Sequence, residues 1–322
     1  MTPAFNCSDT IIEVALSIAE QAEQILEYVI VNDGSTDSTL RLLRDLELKF
    51  TPLIRIIDQP NSGEAVAVNH GIEQSSGDFV MIINADDPIL PGCVNLLRQA
   101  LIDNTEAVVA YGDWKMIDEN GKTLKVIKTL PFNAKTLIAD WVCIVGPGAM
   151  IRKSAFDGAP ARDVRYKNIA DYEMWLRLSQ KGTFVRVDNV LSTWRNHSAG
   201  ASWNGRGKLI SDQFHRLHSD YFRRKDISDE VRSWERRSKA HQNYYSALQK
   251  LFDDEVGGRR YILSSWILSP FIRYKYPSVK RSKLVSIAIL AYPFSLRFAY
   301  ICSKAGLRFP QLIEDAISKR YR

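Results

Sequence analysis

Cysteine is scarce in this 322-residue chain. Cys7, Cys93, Cys143 and Cys302 lie far apart and form no C-x-x-C pair. That spacing argues against a disulfide framework or a zinc site, and it fits a reducing cytosol with the thiols as small buried apolar groups. Long apolar runs are also missing. The nearest to a membrane span, LVSIAILAYPFSLRFAYIC at residues 284–302, is interrupted by Pro293 and Arg297. The N-terminus, MTPAFNCSDTIIEVAL, has neither the basic stretch nor the continuous apolar core of a secretion signal. No repeat or low-complexity tract breaks the chain order.

A hydrophobic content of 45% over this length is enough for one large domain, or for a domain with an appendage. Charge divides the chain unevenly. Residues 205–322 hold 24 Lys and Arg against 11 Asp and Glu, a net of +13, which leaves residues 1–204 at −7. This asymmetry suggests an appendage with an anionic partner, either a membrane surface or a nucleic acid.

Along the first half, helical and strand patterns alternate. Residues 8–27 show apolar positions at helical spacing, with Ser8 as a possible cap. YVIVNDGSTD is a continuous apolar run ending in a turn cluster, which fits a strand buried on both faces. STLRLLRDLELKF, LIRII, AVAVNHGIEQ and FVMIIN follow as helix, strand, helix and strand. The alternation predicts a parallel α/β sheet over the first 115 residues. AVVAYGDWKMID and ENGKTLKVIKTL predict two strands about an Asn-Gly turn. IVGPGAMIRKSAF predicts another strand, and DYEMWLRLSQKG a helix ended by Gly182. Ligands of parallel sheets bind beyond the carboxyl ends of the strands, which selects Asn32, Asp33, Asn84, Asp86 and Asp87.

Each acidic position admits two readings. Asp86 and Asp87 could hold Mg²⁺ or Mn²⁺, or the D-D-P sequence could simply cap the segment that begins at Pro88. Asp33 could face a ligand or close a turn on its own backbone, with Ser35 or Asp37 capping the next helix. Asp171 could be a general base or a carboxylate favoured by a helix dipole. Arg195 and His197, in LSTWRNHSAGAS, suit phosphate oxygens but equally suit a solvated loop.

Taken in order, these pieces resemble the family 2 glycosyltransferases. TPAFN at residues 2–6, YVIVNDGSTDST, NSGEAVAVNHGI, SSGDFVMIINADD, YGDW, GPGAMIRKSAF, DYEMWLRL and WRNHSAGAS follow the family order over residues 2–204. The resemblance implies a GT-A fold, a Rossmann-like mostly parallel sheet flanked by helices, over residues 1–204. It implies inverting transfer of a sugar from a nucleoside diphosphate to an acceptor hydroxyl. By the same resemblance Asp86 is the metal-binding acid for Mn²⁺ or Mg²⁺, and Asp171 is the general base. Pro3, Phe5, Asn32, Asp33, Ser35, Gly63, Asn84, Ala85, Asp87, Arg195 and His197 line the donor site, with Arg195 and His197 closing on the diphosphate and Asn69 supporting the site. Asn84 stands where the family has an Asp, and Ala170 where it often has a Glu. A strand usually precedes T-P-x-Y-N, whereas here Met1 precedes Thr2 directly, so either the start is assigned too late or the first strand is missing.

Residues 205–322 are expected to form a basic helical extension. It would either bind an anionic membrane surface peripherally, through interfacial helices flanked by Lys280, Arg281 and Lys283, or pack with Trp266, Phe271 and Phe294 in a core. No nucleic-acid-binding module is recognisable. The expected function is a cytoplasmic transferase that builds a surface or extracellular polysaccharide on a glycan or lipid-linked acceptor. The alternative is a catalytically weak nucleotide-sugar-binding or scaffold protein of the same fold.

Overall fold

The computed structural model describes residues 1–197, 207–252, 261, 264–265 and 267–268. It divides into two compact units, Met1–Ala134 with Cys143–Gly200, and Lys135–Val142 with Ala201–Arg322.

The first unit opens with the strand β1, Thr2–Ala4, then α1 (Ile11–Ala19), β2 (Tyr28–Asp33), α2 (Thr39–Lys49), β3 (Ile54–Gln59), α3 (Glu64–Glu73) and β4 (Phe79–Met81). β1, β2 and β3 pair in parallel, in that order. Where a missing first strand was one expectation, a short one is present: Thr2–Ala4 pair with Ile30–Asn32, and the Thr2 hydroxyl accepts a buried bond from Tyr28 Oη at 2.8 Å. On its other side, the amino group of Met1 donates to Met81 O at 2.7 Å and Ile83 N donates to Met1 O at 3.0 Å. These two bonds run the main-chain ladder from β1 on to the β4 segment.

β2 is buried along its whole length because both faces are covered. Tyr28 and Ile30 join a core with Ile11, Val14 and Ile18 of α1 and Leu43 of α2, while Val29 and Val31 pack on Ala67 of α3. Both faces are dry, so the sequence reads as a continuous apolar run rather than an alternating one.

Beyond β4 the sheet is mixed rather than parallel. After α4 (Cys93–Asp103) come β5 (Ala107–Ile117), β6 (Thr123–Ile127), the short α5 (Ala134–Ile138), β7 (Met150–Arg152), α6 (Ala170–Leu178) and β8 (Thr183–Arg195). β7 runs antiparallel to both β4 and β5, β6 antiparallel to β5, and β8 parallel to β5. The β5–β6 pair closes on Asp118, which accepts from Asn120 N and Lys122 N, with Gly121 at φ +81°. Two expected helix ends are corrected. Ser8 does not cap α1, which starts at Ile11 with Thr10 in the N-cap position. Gly182 lies beyond the end of α6, and a Cβ there would sit 2.7 Å from Glu106 O, so it permits close approach to the start of β5.

The second unit contains α7 (Gly207–Phe222), α8 (Asp229–Ser233) and α9 (Glu235–Phe252). Leu217, Tyr221, Ala240 and Tyr244 are buried there, and Trp141 Nε1 donates to Ser238 Oγ at 2.7 Å. Asp140 pairs with Arg237 at 2.6 Å. Among the described residues no helix is long and apolar enough to cross a membrane. The apolar run 284–302, the flanking Lys280, Arg281 and Lys283, and Trp266, Phe271 and Phe294 lie outside the described residues.

Candidate active site

The loops that follow β1, β2, β3 and β4 leave the same end of the sheet, because the main-chain ladder runs in one direction through all four. Their contents are tied together. Pro3 lies in β1 opposite Val31, and Phe5 follows it half exposed. Asn6 N donates to Ser35 Oγ at 3.0 Å, and Asn6 Oδ1 accepts from Thr36 N at 2.8 Å. Asp37 Oδ1 accepts from Thr39 N at 2.9 Å, so Asp37 caps α2. Hydrogen bonds from Thr39 and Ser8 together outweigh its desolvation and hold its carboxyl down to about 2.

Asp33 is buried, and both its oxygens serve the loop after β3. Oδ1 accepts from Gln59 Nε2 and Ser62 N, each at 2.8 Å, and Oδ2 from Gly63 N at 2.8 Å. Gly34 makes this possible. It sits at φ +69°, and a Cβ would lie 2.6 Å from Asn61 N. Asn32 is likewise committed, donating to Asp58 Oδ1 at 2.6 Å. The bonds of Asp33 thus correct the expectation of a turn closed on its own backbone: the carboxylate holds the loop after β3 instead. Asp33→Asn would set an amide N–H against the Gly63 N–H, and is expected to cost about 1–3 kcal/mol. A urea midpoint equal to that of the wild type would contradict the role.

In the turn after β4, the acid pair splits into a buried and a half-buried member. Asp87 is buried, its Oδ1 accepting from Arg195 N at 2.7 Å and its Oδ2 from Asn84 Nδ2 at 2.9 Å. Burial, reinforced by the Asp86 charge, pushes its carboxyl up to about 7 against these two bonds. Asp86 is half-buried, and its Oδ2 meets His197 Nε2 at 2.9 Å. Ala85 O accepts from Thr10 Oγ1 at 2.8 Å, which ties the turn to the start of α1.

Arg195 lies within this turn. Its Nε donates to Asp86 O at 3.0 Å, its Nη1 to the carbonyls of Asp118 and Glu119, and its Nη2 to Glu13 at 2.5 Å. The side chain is 3% exposed. A guanidinium so occupied braces the acid turn, and the diphosphate-facing place expected for it does not match these bonds. His197, by contrast, meets the Asp86 carboxylate rather than its carbonyl. Glu13 was not singled out from the sequence, because an acid in the first turn of α1 reads as an ordinary dipole partner.

Asp171 is exposed in the first turn of α6, and its Oδ1 accepts from Tyr172 N at 2.8 Å. It shares its surroundings with Glu64, the first residue of α3, another acid not singled out from the sequence. Glu64 keeps an open face, yet desolvation by the surrounding protein raises its carboxyl above the usual range. The Asp171 and Asp86 charges add to that shift, and Arg162 opposes it. Asp86, Asp171 and Arg162 therefore each act on Glu64. Asn69 holds Arg162 in place, since its Nδ2 donates to Arg162 O at 2.8 Å and its Oδ1 accepts from Arg162 N at 2.7 Å.

The donor set suits an oxygen-preferring divalent cation that takes most of its ligands from substrate and water. Asp86 Oδ1 and Asn84 Oδ1 accept no hydrogen bond from the described residues, whereas both Asp87 oxygens are occupied. Among the described residues no three His, Cys, Asp or Glu side chains form a cage. Mg²⁺ and Mn²⁺ bound through one or two carboxylates plus phosphate need none.

Residues 1–158 match the profile of glycosyl transferase family 2. An uncharacterized glycosyltransferase, YibD of Escherichia coli K12, is 30% identical over 169 residues, covering 52% of this chain and 48% of that protein. The hyaluronan synthase of Pasteurella multocida is 30% identical over 190 residues, covering 58% of this chain and 19% of the synthase. The chondroitin synthase of Escherichia coli is 28% identical over 189 residues, 58% of this chain and 27% of that one. The chain thus spans less than half the length of these curated relatives. Among solved structures, S. aureus TarS 1-349 in complex with UDP-GlcNAc superposes with a TM-score of 0.64 at 14% identity, covering 96% of this chain and 91% of that one. The mannosyltransferase PcManGT of Pyrobaculum calidifontis, in complex with GDP-Man and Mn²⁺, gives 0.57 at 13% identity, covering 92% and 81%. These likenesses fit the GT-A architecture of the sheet.

Proposed function

Through residues 1–158 this chain belongs to glycosyl transferase family 2, and from that premise we propose that it transfers a sugar, with inversion, from a nucleoside diphosphate to an acceptor hydroxyl. The observation that carries this reading is the turn after β4, where the half-buried Asp86 meets His197 at 2.9 Å and keeps its Oδ1 free of hydrogen bonds from the described residues, together with the exposed Asp171 in the first turn of α6. Asp171 takes the proton from the acceptor hydroxyl as its oxygen attacks the anomeric carbon. Asp86, with Asn84 beside it, holds a divalent cation, Mn²⁺ or Mg²⁺, which when bound stabilises charge on the departing diphosphate. His197, hydrogen-bonded to Asp86, orients that carboxylate and can supply a proton on the same side. Phe5, half exposed beyond β1, offers an apolar face to the nucleobase, while Asp33 shapes the loop beneath it. The polysaccharide synthases among the relatives support a glycan as the acceptor class.

The test is ligand-induced stabilisation of the purified chain by UDP-GlcNAc, UDP-glucuronate and GDP-mannose, with Mn²⁺ or with EDTA. At least one donor at about 100 times its Kd is expected to stabilise the protein by about 2.7 kcal/mol, and EDTA to remove most of that gain. Silence towards every donor, with Mn²⁺ present, would overturn the assignment. Stabilisation without any slow release of nucleoside diphosphate would favour the second reading, a sugar-nucleotide-binding protein of the same fold.

A further inference from the structure

Arg162 is 7% exposed, and its Nε is buried with no hydrogen-bond partner. Its guanidinium forms neither a hydrogen bond nor a salt bridge with any of the described residues. A buried guanidinium left in this state costs several kcal/mol unless something answers it. The chain nonetheless holds its backbone firmly. Asn69 on α3 grips both its N–H and its carbonyl, and the neighbouring Ala161 O accepts from Arg177 Nη2 of α6 at 2.9 Å. Arg177 is itself fixed by Glu173 at 3.1 Å. Two helices thus clamp the main chain at 161–162 and present a side chain that the protein does not use.

Glu64 is its counterpart. Its carboxylate accepts no hydrogen bond from the described residues, and it is open to solvent. An unengaged acceptor thus stands at the start of α3, and an unengaged set of donors is held to the same helix through Asn69; the charges of Asp86 and Asp171 both reach Glu64. In an inverting displacement the leaving diphosphate and the incoming hydroxyl stand on opposite faces of the anomeric carbon, so the transferred sugar must lie between the metal-binding acid and the base. Sugar hydroxyls both donate and accept, which suits a carboxylate and a guanidinium facing the same ring.

We propose that Glu64 and Arg162 form the subsite for the transferred sugar, acting as positioning residues that hydrogen-bond its hydroxyls. The proposal rests on the transferase reading above. It assigns to Arg162 the partner that the protein lacks, and to Asn69 the task of aiming it. The raised carboxyl of Glu64 is consistent with a crowded, partly dehydrated position.

The test is calorimetric titration of the full chain in Mn²⁺ with UDP, UDP-GlcNAc, GDP and GDP-mannose. Arg162→Lys keeps the charge but loses the planar fork, and Glu64→Gln keeps the shape but loses the charge. For whichever nucleotide the wild type binds, each variant is expected to lose about 10- to 100-fold in affinity for the sugar conjugate while the free nucleotide stays within about twofold. Equal losses for conjugate and free nucleotide, or no loss for either, would overturn the subsite. A wild type that binds neither nucleotide nor conjugate would overturn the transferase reading and the subsite with it.

Discussion

Asp171→Asn is expected to lower the rate of sugar transfer about 10²- to 10⁴-fold while leaving nucleotide affinity and thermal stability unchanged. The prediction separates chemistry from architecture because of how the side chain is held. Among the described residues, Asp171 accepts one hydrogen bond, from Tyr172 N to Oδ1 at 2.8 Å, and an asparagine oxygen can accept it as well. The start of α6 therefore survives the substitution, as do Ala170 and Met174 in the core beneath. What is lost is the ability to take up a proton. The measurement is single-turnover transfer alongside calorimetric binding of the donor nucleotide. Transfer at the wild-type rate would remove Asp171 from the mechanism. The next carboxylate to test would be Glu64, which occupies the same charge environment.

What the sequence shows and what it hides follow from the range of the forces involved. Strand exits could be read from local pattern, since a dry strand such as β2 needs a continuous apolar run and must then turn. Asn32, Asp33, Asn84, Asp86 and Asp87 were found in that way. β1 was missed because three residues are too few to show any period, and its evidence is pairing with β2 and the bonds of Met1 to Met81 and Ile83. The mixed half of the sheet was hidden for a related reason. FVMIIN reads as a dry strand whichever way its neighbour runs, and only the pairing with Met150–Arg152 shows the antiparallel direction.

Roles were harder to read than places. Glu64 and Glu13 look alike in sequence, each an acid in the first turn of a helix, where the dipole alone would justify it. Tertiary contact separates them, since Glu13 meets Arg195 whereas Glu64 stands with Asp86, Asp171 and Arg162. Asn69 carried a signal, a polar residue directly after the apolar run Ala65–Val68 of α3, but its partner lies 93 positions away. Arg162 carried none, because an arginine in a polar loop reads as solvated.

Arg195→Met is expected to destabilise the protein by roughly 2–4 kcal/mol and, with it, to weaken cation-dependent donor binding. Arginine at this position could serve the diphosphate or the fold, and the two roles predict different results. Its donors reach the carbonyls of Asp86, Asp118 and Glu119 and the Glu13 carboxylate, from a side chain that is 3% exposed. Methionine fills much of the volume but leaves those carbonyls without donors, at about 1–3 kcal/mol for each acceptor that water cannot reach. Glu13 is 53% exposed and rehydrates, which limits the loss. For a domain of this size each kcal/mol moves Tm by about 2–4 °C, so a fall of roughly 5–15 °C is expected. The Asp86 carbonyl is one of the groups released, so the metal-binding acid loses its fixed geometry, and Mn²⁺-dependent stabilisation by donor should shrink in the same variant. If Arg195 instead contacted the diphosphate, nucleotide affinity would collapse at an unchanged Tm. That outcome would move Arg195 from brace to ligand and leave the geometry of the Asp86–Asp87 turn to Asn84 and the Arg195 amide alone.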